Sequence, residues 1–279
     1  MTSFPLRSVL YVPADNARAL SGAGRRSADV LLIDLEDPVA PEAKVAARDA
    51  ACAAARELHD AGHRVVVRCN HPDTPWGPDD IAAIGDLPVD AICVPKVASA
   101  TDIDRVAALT DVTHAVWPMI ELPSAVIEAR AVAAHPRVTV LVMGTNDLAF
   151  AAGVDDRVEG RAMLVPYLAQ VVLAARAEGT AVLDGASTIL DDPGRFRAEC
   201  RQGRAMGFDG KTVIHPAQVA VANEVWTPSP GECEEARRVI AAWDGAQAEG
   251  RAVAVLDGRM IELMHVARAR DVLAHAGGA

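Results

Sequence analysis

Two carboxylates, Glu121 and Asp147, each follow a hydrophobic run of strand length, 116–120 and 138–143. Parallel strands that alternate with helices bring their C-terminal ends to one face, where two such acids would repel each other unless a cation neutralised them. Carboxylates, waters and substrate oxygens are the ligands that Mg2+ prefers. The pattern therefore predicts a magnesium site, with a helix N-cap as the alternative role of Asp147.

An arginine and a group of acids follow two other apolar runs. Arg68 ends one run, and Glu36 and Asp37 come just after another that ends in Asp34. A guanidinium presents a planar fork of donors that can hold a carboxylate or a developing enolate oxygen. The alternative for Arg68 is a structural ion pair with Glu36 or Asp37. Acids that orient the arginine would make both interpretations true.

Lysine is rare in this chain, and only Lys44, Lys96 and Lys211 occur. A Schiff-base aldolase would therefore have to use Lys96 or Lys211. Lys96 is expected instead to balance the charge of Glu121 and Asp147. His215 is expected to satisfy a backbone group beside Pro216 rather than to act in catalysis.

The elements that must position these side chains are short apolar runs separated by segments with helical spacing. Eight runs alternate with such segments, which predicts an α/β fold, a (β/α)8 TIM barrel with a C-terminal helical extension. The barrel is assigned to residues 1–228, and the extension, assigned to 229–279, is expected to pack on a neighbouring subunit. The runs lie near 8–13, 30–34, 65–68, 91–95, 116–120, 138–143, 181–184 and 211–215, with helix starts signalled at Pro41, Ser99 and Asp192 and tail helices near 232–249 and 258–276.

The composition limits the classes of function. The chain has 279 residues, a hydrophobic fraction of 51% and a formal net charge of -11. Such an acidic chain argues against nucleic-acid binding, which needs a basic surface. The five cysteines are widely spread without a Cys-x-x-Cys pair, as expected for reduced thiols in a cytoplasmic protein. The sequence opens without a signal-peptide pattern, and no apolar stretch approaches the ~18 residues of a spanning helix.

The sequence resembles the citrate lyase β-subunit-like branch of the HpcH/HpaI aldolase/citrate lyase family nearly from end to end. Its motifs together are far more specific than any one of them. They are SVLYVPAD at 8–15, LIDLEDPV at 32–39 with Lys44 and Arg48, VRCN at 67–70, VPK at 94–96, IE at 120–121, GTNDL at 144–148, GFDGK at 207–211, IHPAQ at 214–218 and LDGRMI at 256–261.

The resemblance implies a magnesium-dependent carbon–carbon lyase on a trimeric or hexameric barrel. Such an enzyme cleaves or forms a 3-hydroxy-acyl-CoA thioester through an acetyl-thioester enolate. The resemblance implies that Glu121 and Asp147 bind Mg2+ and that Arg68 faces the enolate. Glu36 and Asp37 are implied as supporting acids.

Two departures from the family pattern bear on the remaining site residues. Many acyl-CoA lyases of this group carry an aspartate in the tail that enters the neighbouring subunit's site as acid or base, and here Glu262 takes that place. Relatives also often carry arginines in the first loop that bind coenzyme A phosphates, where this chain has Asn16. The coenzyme contacts are therefore assigned to Arg18, Lys44 and Tyr11.

The leading hypothesis is a lyase acting on a malyl-, citramalyl-, citryl- or hydroxymethylglutaryl-CoA-like thioester. Three alternatives stay open: a class II aldolase that acts on free 2-oxo-acids, a citryl-carrier-protein lyase subunit of a citrate lyase complex, and a binding barrel without activity. Aldolases on free oxo-acids commonly place a histidine base beside the acids after the second strand. The Glu36-Asp37-Pro38 run found here favours the thioester.

Overall fold

The computed structural model describes residues 4–110, 113–155 and 161–277 of the chain. The first three residues, which belong to the segment inspected for a signal peptide, lie outside these ranges. The chain divides into two compact units, Met1–Asn223 and Glu224–Ala279. Among the helices of the described residues, none has the length and apolar character needed to cross a membrane.

Eight parallel strands close into a barrel in chain order, which confirms the predicted fold. The closure is made where β1 pairs with β8, Leu10 lying opposite Val213. The strands are β1 (Ser8–Pro13), β2 (Val30–Asp34), β3 (Val65–Arg68), β4 (Ala91–Val94), β5 (Ala115–Ile120), β6 (Val140–Met143), β7 (Ala181–Asp184) and β8 (Gly210–Val213).

Helices alternate with the strands, as the spacing predicted. Three predicted start signals are confirmed: Pro41 opens a 3-10 turn that leads into α2, Ser99 forms a capping box with Asp102, and the Asp192 side chain accepts the Arg195 N–H. In the first unit the helices are α1 (Ala17–Gly22), α2 (Lys44–Asp60), α3 (Gly77–Gly85), α4 (Ala100–Ala108), α5 (Pro123–Ile127), α6 (Ala129–Ala133), α7 (Thr145–Ala152), α8 (Val165–Glu178) and α9 (Pro193–Met206), with α10 (Pro216–Trp226) crossing into the second unit.

Successive residues of a strand face opposite sides of the sheet, so every second side chain of each strand points into the barrel interior. The strands are buried on both faces, so they read as nearly continuous hydrophobic runs. One core cluster takes every second residue of the first seven strands, among them Val9, Leu32, Val66, Met119, Val142 and Leu183. The next residue of the same parity toward the C-terminal end is polar or glycine in six strands: Tyr11, Asp34, Arg68, Glu121, Gly144 and Gly185.

The second unit contains α11 (Pro230–Ala248), a hairpin of β9 (Ala254–Leu256) and β10 (Arg259–Ile261), and α12 (Leu263–Gly277). The last helix begins at Leu263, not near Gly258 as the sequence pattern predicted. Asp257 and Gly258 both have positive φ, 48° and 75°, which makes them a two-residue turn between antiparallel strands. Asp-Gly is a strong signal for that turn, so the hairpin could have been predicted.

Candidate active site at the carboxyl ends of the strands

The Arg68 side chain, at the carboxyl end of β3, is fixed by two acids and an aromatic ring. Its Nε and Nη2 donate to the two oxygens of Asp34 at 2.7 and 2.6 Å, a bidentate pair, and its Nη1 lies 2.8 Å from Glu36 Oε2. The guanidinium also stacks over the Tyr11 ring, 4.9 Å from its centroid. The predicted ion pair with Glu36 is therefore present. Asp34, which the sequence analysis left without a role, holds the guanidinium more tightly.

Glu121 is fully buried, and its two oxygens have different environments. Oε1 accepts the backbone N–H of Lys96 at 2.6 Å. Oε2 has no hydrogen-bond partner within 4–110, 113–155 and 161–277. Burial, together with the nearby charges of Glu36 and Asp147, raises the pKa of Glu121 to about 7. An unpaired buried carboxylate oxygen is costly, so this atom calls for a ligand that carries positive charge.

Gly144 makes room for that carboxylate. It lies directly after β6, at the position that corresponds to Glu121 directly after β5, and a Cβ built on Gly144 would clash with Glu121 Oε2. The glycine is needed for space, because its φ of -105° is open to any residue.

Asp147 lies on the first turn of α7, the helix that follows β6. The N-cap of this helix is Gly144, so the N-cap role considered for Asp147 is wrong. The side chain is half-buried and its charge acts on Glu121. Adjacent strands thus bring the two predicted metal ligands close enough for their charges to interact.

Lys96 lies between the acids of two strand ends. Its ammonium contacts Glu36 Oε1 directly and lies 3.4 Å from Asp37 Oδ1. Burial lowers the pKa of Lys96, but the hydrogen bond and charge of Glu36 outweigh it, and the pKa rises to about 12. Among the described residues the ammonium therefore pairs with Glu36 and Asp37 rather than with the predicted acids Glu121 and Asp147, of which Glu121 acts on it only as a nearby charge.

The other Schiff-base candidate, Lys211, is fully buried on the outer side of the barrel wall. Its Nζ donates to Asp184 Oδ2 at 3.0 Å and to Gly185 O, and it lies 2.7 Å from Glu199 Oε1. Each Schiff-base candidate is thus an ammonium ion between two carboxylates. A nucleophilic amine must be neutral, so neither environment suits covalent catalysis.

The residues predicted to contact the coenzyme differ in their surroundings. Arg18 is exposed on α1, and Tyr11 lies beneath the Arg68 guanidinium. The Lys44 ammonium is buried and donates to Leu35 O, Glu36 O and the Asn70 side chain, at 2.7–2.8 Å. Lys44 would have to release one of these acceptors to bind a phosphate.

Two further predicted positions are His215, which follows β8, and Glu262. His215 is exposed, and its Nδ1 accepts the Ala217 N–H at 3.2 Å, which confirms that it satisfies a backbone group next to Pro216. Glu262 belongs to the second unit, between β10 and α12, where its backbone N–H donates to His265 Nδ1.

The donor set fits Mg2+ better than a metal that needs a full protein cage. Within the described parts of the chain, no three His, Cys, Asp or Glu side chains converge on one point. Glu121 and Asp147 therefore offer two carboxylates, one with a free buried oxygen. Mg2+ is typically bound by one or two carboxylates and keeps several waters, whereas structural zinc needs four protein ligands.

Sequence reasoning missed three contributors: Asp34, the backbone of Lys96 and Gly144. The signal that could have found Asp34 and Gly144 is strand parity, since each is two residues beyond a core position, Leu32 and Val142. For Lys96 the local signal is Pro95, because proline followed by a residue of positive φ is typical of a type II turn, and the structure has a turn at 95–96 with a Lys96 φ of 52°.

The chain is similar to a known protein family, to named relatives and to a solved structure. The model of the HpcH/HpaI aldolase/citrate lyase family matches residues 7–216. A (3S)-malyl-CoA thioesterase from Cereibacter sphaeroides is 46% identical over 273 residues, 98% of this chain and 95% of the relative. An L-malyl-CoA/beta-methylmalyl-CoA lyase from the same species is 32% identical over 302 residues, 98% of this chain and 95% of the relative. The crystal structure of CitE from Mycobacterium tuberculosis with magnesium, acetoacetate and coenzyme A superposes with a TM-score of 0.84 at 28% identity, covering 99% of both chains.

Proposed function

Because the chain belongs to the HpcH/HpaI aldolase/citrate lyase family, we propose that it is a magnesium-dependent carbon–carbon lyase acting on a 3-hydroxy-acyl-CoA thioester. One observation carries the proposal: Glu121 keeps a buried oxygen without a hydrogen-bond partner among the described residues, within the field of Asp147. A divalent cation would complete this carboxylate. The same barrel mouth holds Arg68, a rigid cation suited to an enolate oxygen.

The relatives support a coenzyme A thioester as the substrate. The two Cereibacter sphaeroides proteins are named for malyl-CoA, and the Mycobacterium tuberculosis structure holds coenzyme A together with magnesium and acetoacetate. We therefore propose a malyl-, citramalyl-, citryl- or hydroxymethylglutaryl-CoA-like substrate.

Glu121 and Asp147 would hold the metal. When bound there, Mg2+ supplies a Lewis acid that lowers the pKa of a substrate hydroxyl. The chain prepares the site by keeping Glu121 Oε1 occupied with the Lys96 N–H and by leaving Oε2 open beside Gly144.

Arg68 would stabilise the enolate oxygen of the acetyl thioester. Asp34 accepts two of its N–H groups and Glu36 forms an ion pair with it, so the guanidinium stays in place when charge develops nearby, without reorganisation. Its Nη1 also contacts Met119 Sδ at 3.4 Å. A thioether is a weak acceptor, which a substrate oxygen would readily replace.

We further propose that Arg18, Tyr11 and Lys44 contact the bound coenzyme. The exposed guanidinium of Arg18 suits a phosphate group, and the half-buried Tyr11 ring lies at the barrel mouth. Lys44 supports the loop after β2 through the carbonyl oxygens of Leu35 and Glu36. The five free cysteines agree with the reduced cytoplasmic environment that we propose for the protein.

For the tail, 229–279, we propose that it packs on a neighbouring subunit of a trimer or hexamer and delivers Glu262 as acid or base. Large hydrophobic side chains are exposed on either side of Glu262, namely Met260, Leu263 and Met264, with Val255 on the paired strand. Such a concentration of exposed apolar residues is typical of a surface that is buried in an assembly.

Mixed oligomers test this arrangement. Glu262→Gln and Arg68→Ala proteins, each inactive alone, are refolded together and assayed. Shared sites would restore part of the activity, because some sites then combine an intact Arg68 from one subunit with an intact Glu262 from another. Activity that stays absent in the mixture, with normal oligomers by light scattering, contradicts the shared site.

Thioester hydrolysis is the second candidate function. It is favoured by the 46% identical relative, whose name describes a malyl-CoA thioesterase. Hydrolysis would use the same metal acids and Arg68, with water attacking the thioester carbonyl in place of carbon–carbon cleavage.

A product-resolved screen distinguishes these functions. Malyl-, citramalyl-, citryl- and hydroxymethylglutaryl-CoA, with their free acids, are incubated with protein and Mg2+. A lyase releases a short acyl-CoA and an oxo-acid, seen by chromatography and by phenylhydrazone formation. A thioesterase releases free coenzyme A thiol, seen with a disulfide dye. Turnover of the free acids alone would contradict the thioester substrate, and activity that persists after chelation of Mg2+ would contradict the magnesium dependence.

A further inference from the structure

Lys96 has a backbone conformation that is rare for a residue with a side chain. Its φ is 52°, and only one other non-glycine residue in the described ranges, Asp257, has a positive φ. Asp257 belongs to a two-residue hairpin turn, which accounts for it. Lys96 lies after Pro95 in a turn that directly follows the barrel strand β4, and its N–H contacts the acid after β5 instead of closing a hairpin. Strained residues of this sort persist where surrounding contacts hold them, and they concentrate at functional sites.

The contact that this conformation secures is the hydrogen bond to Glu121. The Lys96 N–H points to Oε1 and occupies it at 2.6 Å. The other oxygen, Oε2, is buried and has no hydrogen-bond partner among the described residues. The backbone of Lys96 thus makes the two oxygens of one carboxylate unequal, and it selects the one that stays open.

The side chain of Lys96 anchors the strained backbone from the other direction. Its ammonium contacts Glu36 and Asp37, the acids that follow β2. Glu36 in turn holds Arg68 through Nη1. Lys96 is therefore bonded through its main chain to Glu121 and through its side chain to Glu36. Glu36 also pairs with Arg68, whereas Glu121 keeps one oxygen open.

From these contacts we infer that Lys96 is a positioning residue for the metal site: its left-handed backbone presents Glu121 with one oxygen free, and its ammonium fixes that backbone to Glu36. The inference rests on the proposed magnesium site. It assigns Lys96 no contact with substrate.

Two substitutions separate the backbone from the charge. Lys96→Gly removes the ammonium, keeps the N–H and adopts positive φ without strain. Lys96→Val also removes the ammonium, but its branched side chain opposes positive φ and displaces the N–H. Isothermal titration with MgCl2 should give a Kd for Lys96→Gly within threefold of the parent, and a Kd for Lys96→Val at least tenfold higher.

Circular dichroism and the melting temperature of the metal-free proteins serve as the folding control. If Lys96→Val does not fold, Lys96→Ala takes its place, because alanine keeps a Cβ and loses the ammonium that holds the strained backbone. Its Kd for Mg2+ should exceed that of Lys96→Gly by at least threefold.

Equal Kd values for Mg2+ in Lys96→Gly and in the folded comparison variant, Lys96→Val or Lys96→Ala, would overturn the role of Lys96. The metal site itself would remain. Failure of the parent protein to bind Mg2+ would overturn both the proposed site and this inference. The two failures are therefore distinguishable in one set of titrations.

Discussion

Two clusters of buried charge lie on opposite sides of the barrel wall. The inner cluster contains Asp34, Glu36 and Glu121 with the cations Arg68 and Lys96. The outer cluster, between the wall and α9, contains Asp184 and Glu199 with Lys211 and Arg161. Asp184 directly follows the interior residue Leu183, so a step of one residue along a strand moves an acid from the inside of the barrel to the outside.

The clusters differ in whether their charges and hydrogen bonds are complete. In the outer cluster two carboxylates meet two cations, and both oxygens of Asp184 accept hydrogen bonds, from Arg161 and Gly185 on one side and Lys211 on the other. In the inner cluster three carboxylates meet two cations, and Glu121 Oε2 has no hydrogen-bond partner within the described ranges. A complete buried network is a structural element, whereas an incomplete one has a place for a ligand.

The largest expected difference is in turnover. Arg68→Lys should lower kcat by about 10^2- to 10^3-fold, because lysine lacks the fork that Asp34 holds and places a mobile charge where a fixed donor is needed. Arg161→Lys is the matched control, since Arg161 also pairs with a buried aspartate, and it should change kcat by less than about threefold. Both are measured on the substrate identified in the product screen. Equal losses in the two variants would contradict the assignment of the inner cluster to catalysis.

The next difference concerns the stability of the metal-free protein. Asp184→Asn leaves the buried Lys211 and Arg161 short of a partner, so the free energy of unfolding should fall by about 3 kcal/mol. Glu121→Gln removes a charge that lacks a partner at Oε2 but buries an amide there, and these effects offset each other to within about 1 kcal/mol. Urea unfolding in EDTA measures both. A large loss in Glu121→Gln would mean that this carboxylate is as well satisfied as Asp184.

Magnesium should distinguish the clusters in a third way. At one hundred times its Kd, Mg2+ is expected to raise the free energy of unfolding of the parent by about 2.7 kcal/mol. Asp184→Asn should keep this increment, whereas Glu121→Gln and Asp147→Asn should lose it. Thermal unfolding with MgCl2, and with NaCl at matched ionic strength, checks the prediction. The site is wrongly placed if the increment survives in Glu121→Gln.

The smallest expected effect comes from a single methyl group. A Cβ on Gly144 would press on Glu121, and a Cβ on Gly203 would press on Asp184. Gly144→Ala should weaken Mg2+ binding about tenfold, equivalent to about 1.4 kcal/mol, by displacing the open carboxylate oxygen. Gly203→Ala should leave the Kd unchanged, because it disturbs only the outer cluster. Titration of both variants decides whether the space at Gly144 matters to the metal.

Much of the barrel could be predicted because apolar runs and helix signals are local. Pro41, Ser99 and Asp192 each mark a helix start through contacts within a few residues. The Asp257-Gly258 turn is equally local, and it was overlooked rather than hidden. The placement of Glu121 and Asp147 at one end of the barrel followed from strand order alone.

The partners of the site residues were less predictable. Arg68 was expected to pair with Glu36 or Asp37, yet its bidentate partner is Asp34, which lies opposite it in the register of β2 and β3. Lys211 was one of two candidates for a Schiff base, yet its ammonium lies between Asp184 and Glu199. Both outcomes depend on which residues of neighbouring strands and helices come opposite one another.

By itself the sequence determined the eight-stranded barrel, the acids and the arginine at its mouth, and the resemblance that names the chemistry. These follow from residue type and spacing along the chain. Only the tertiary structure decided that the Lys96 N–H occupies one oxygen of Glu121 while the other stays open. The physical reason is that hydrogen-bond satisfaction is a property of all the atoms around a buried group, and for Glu121 those atoms come from the loop after β4 and from Gly144 after β6.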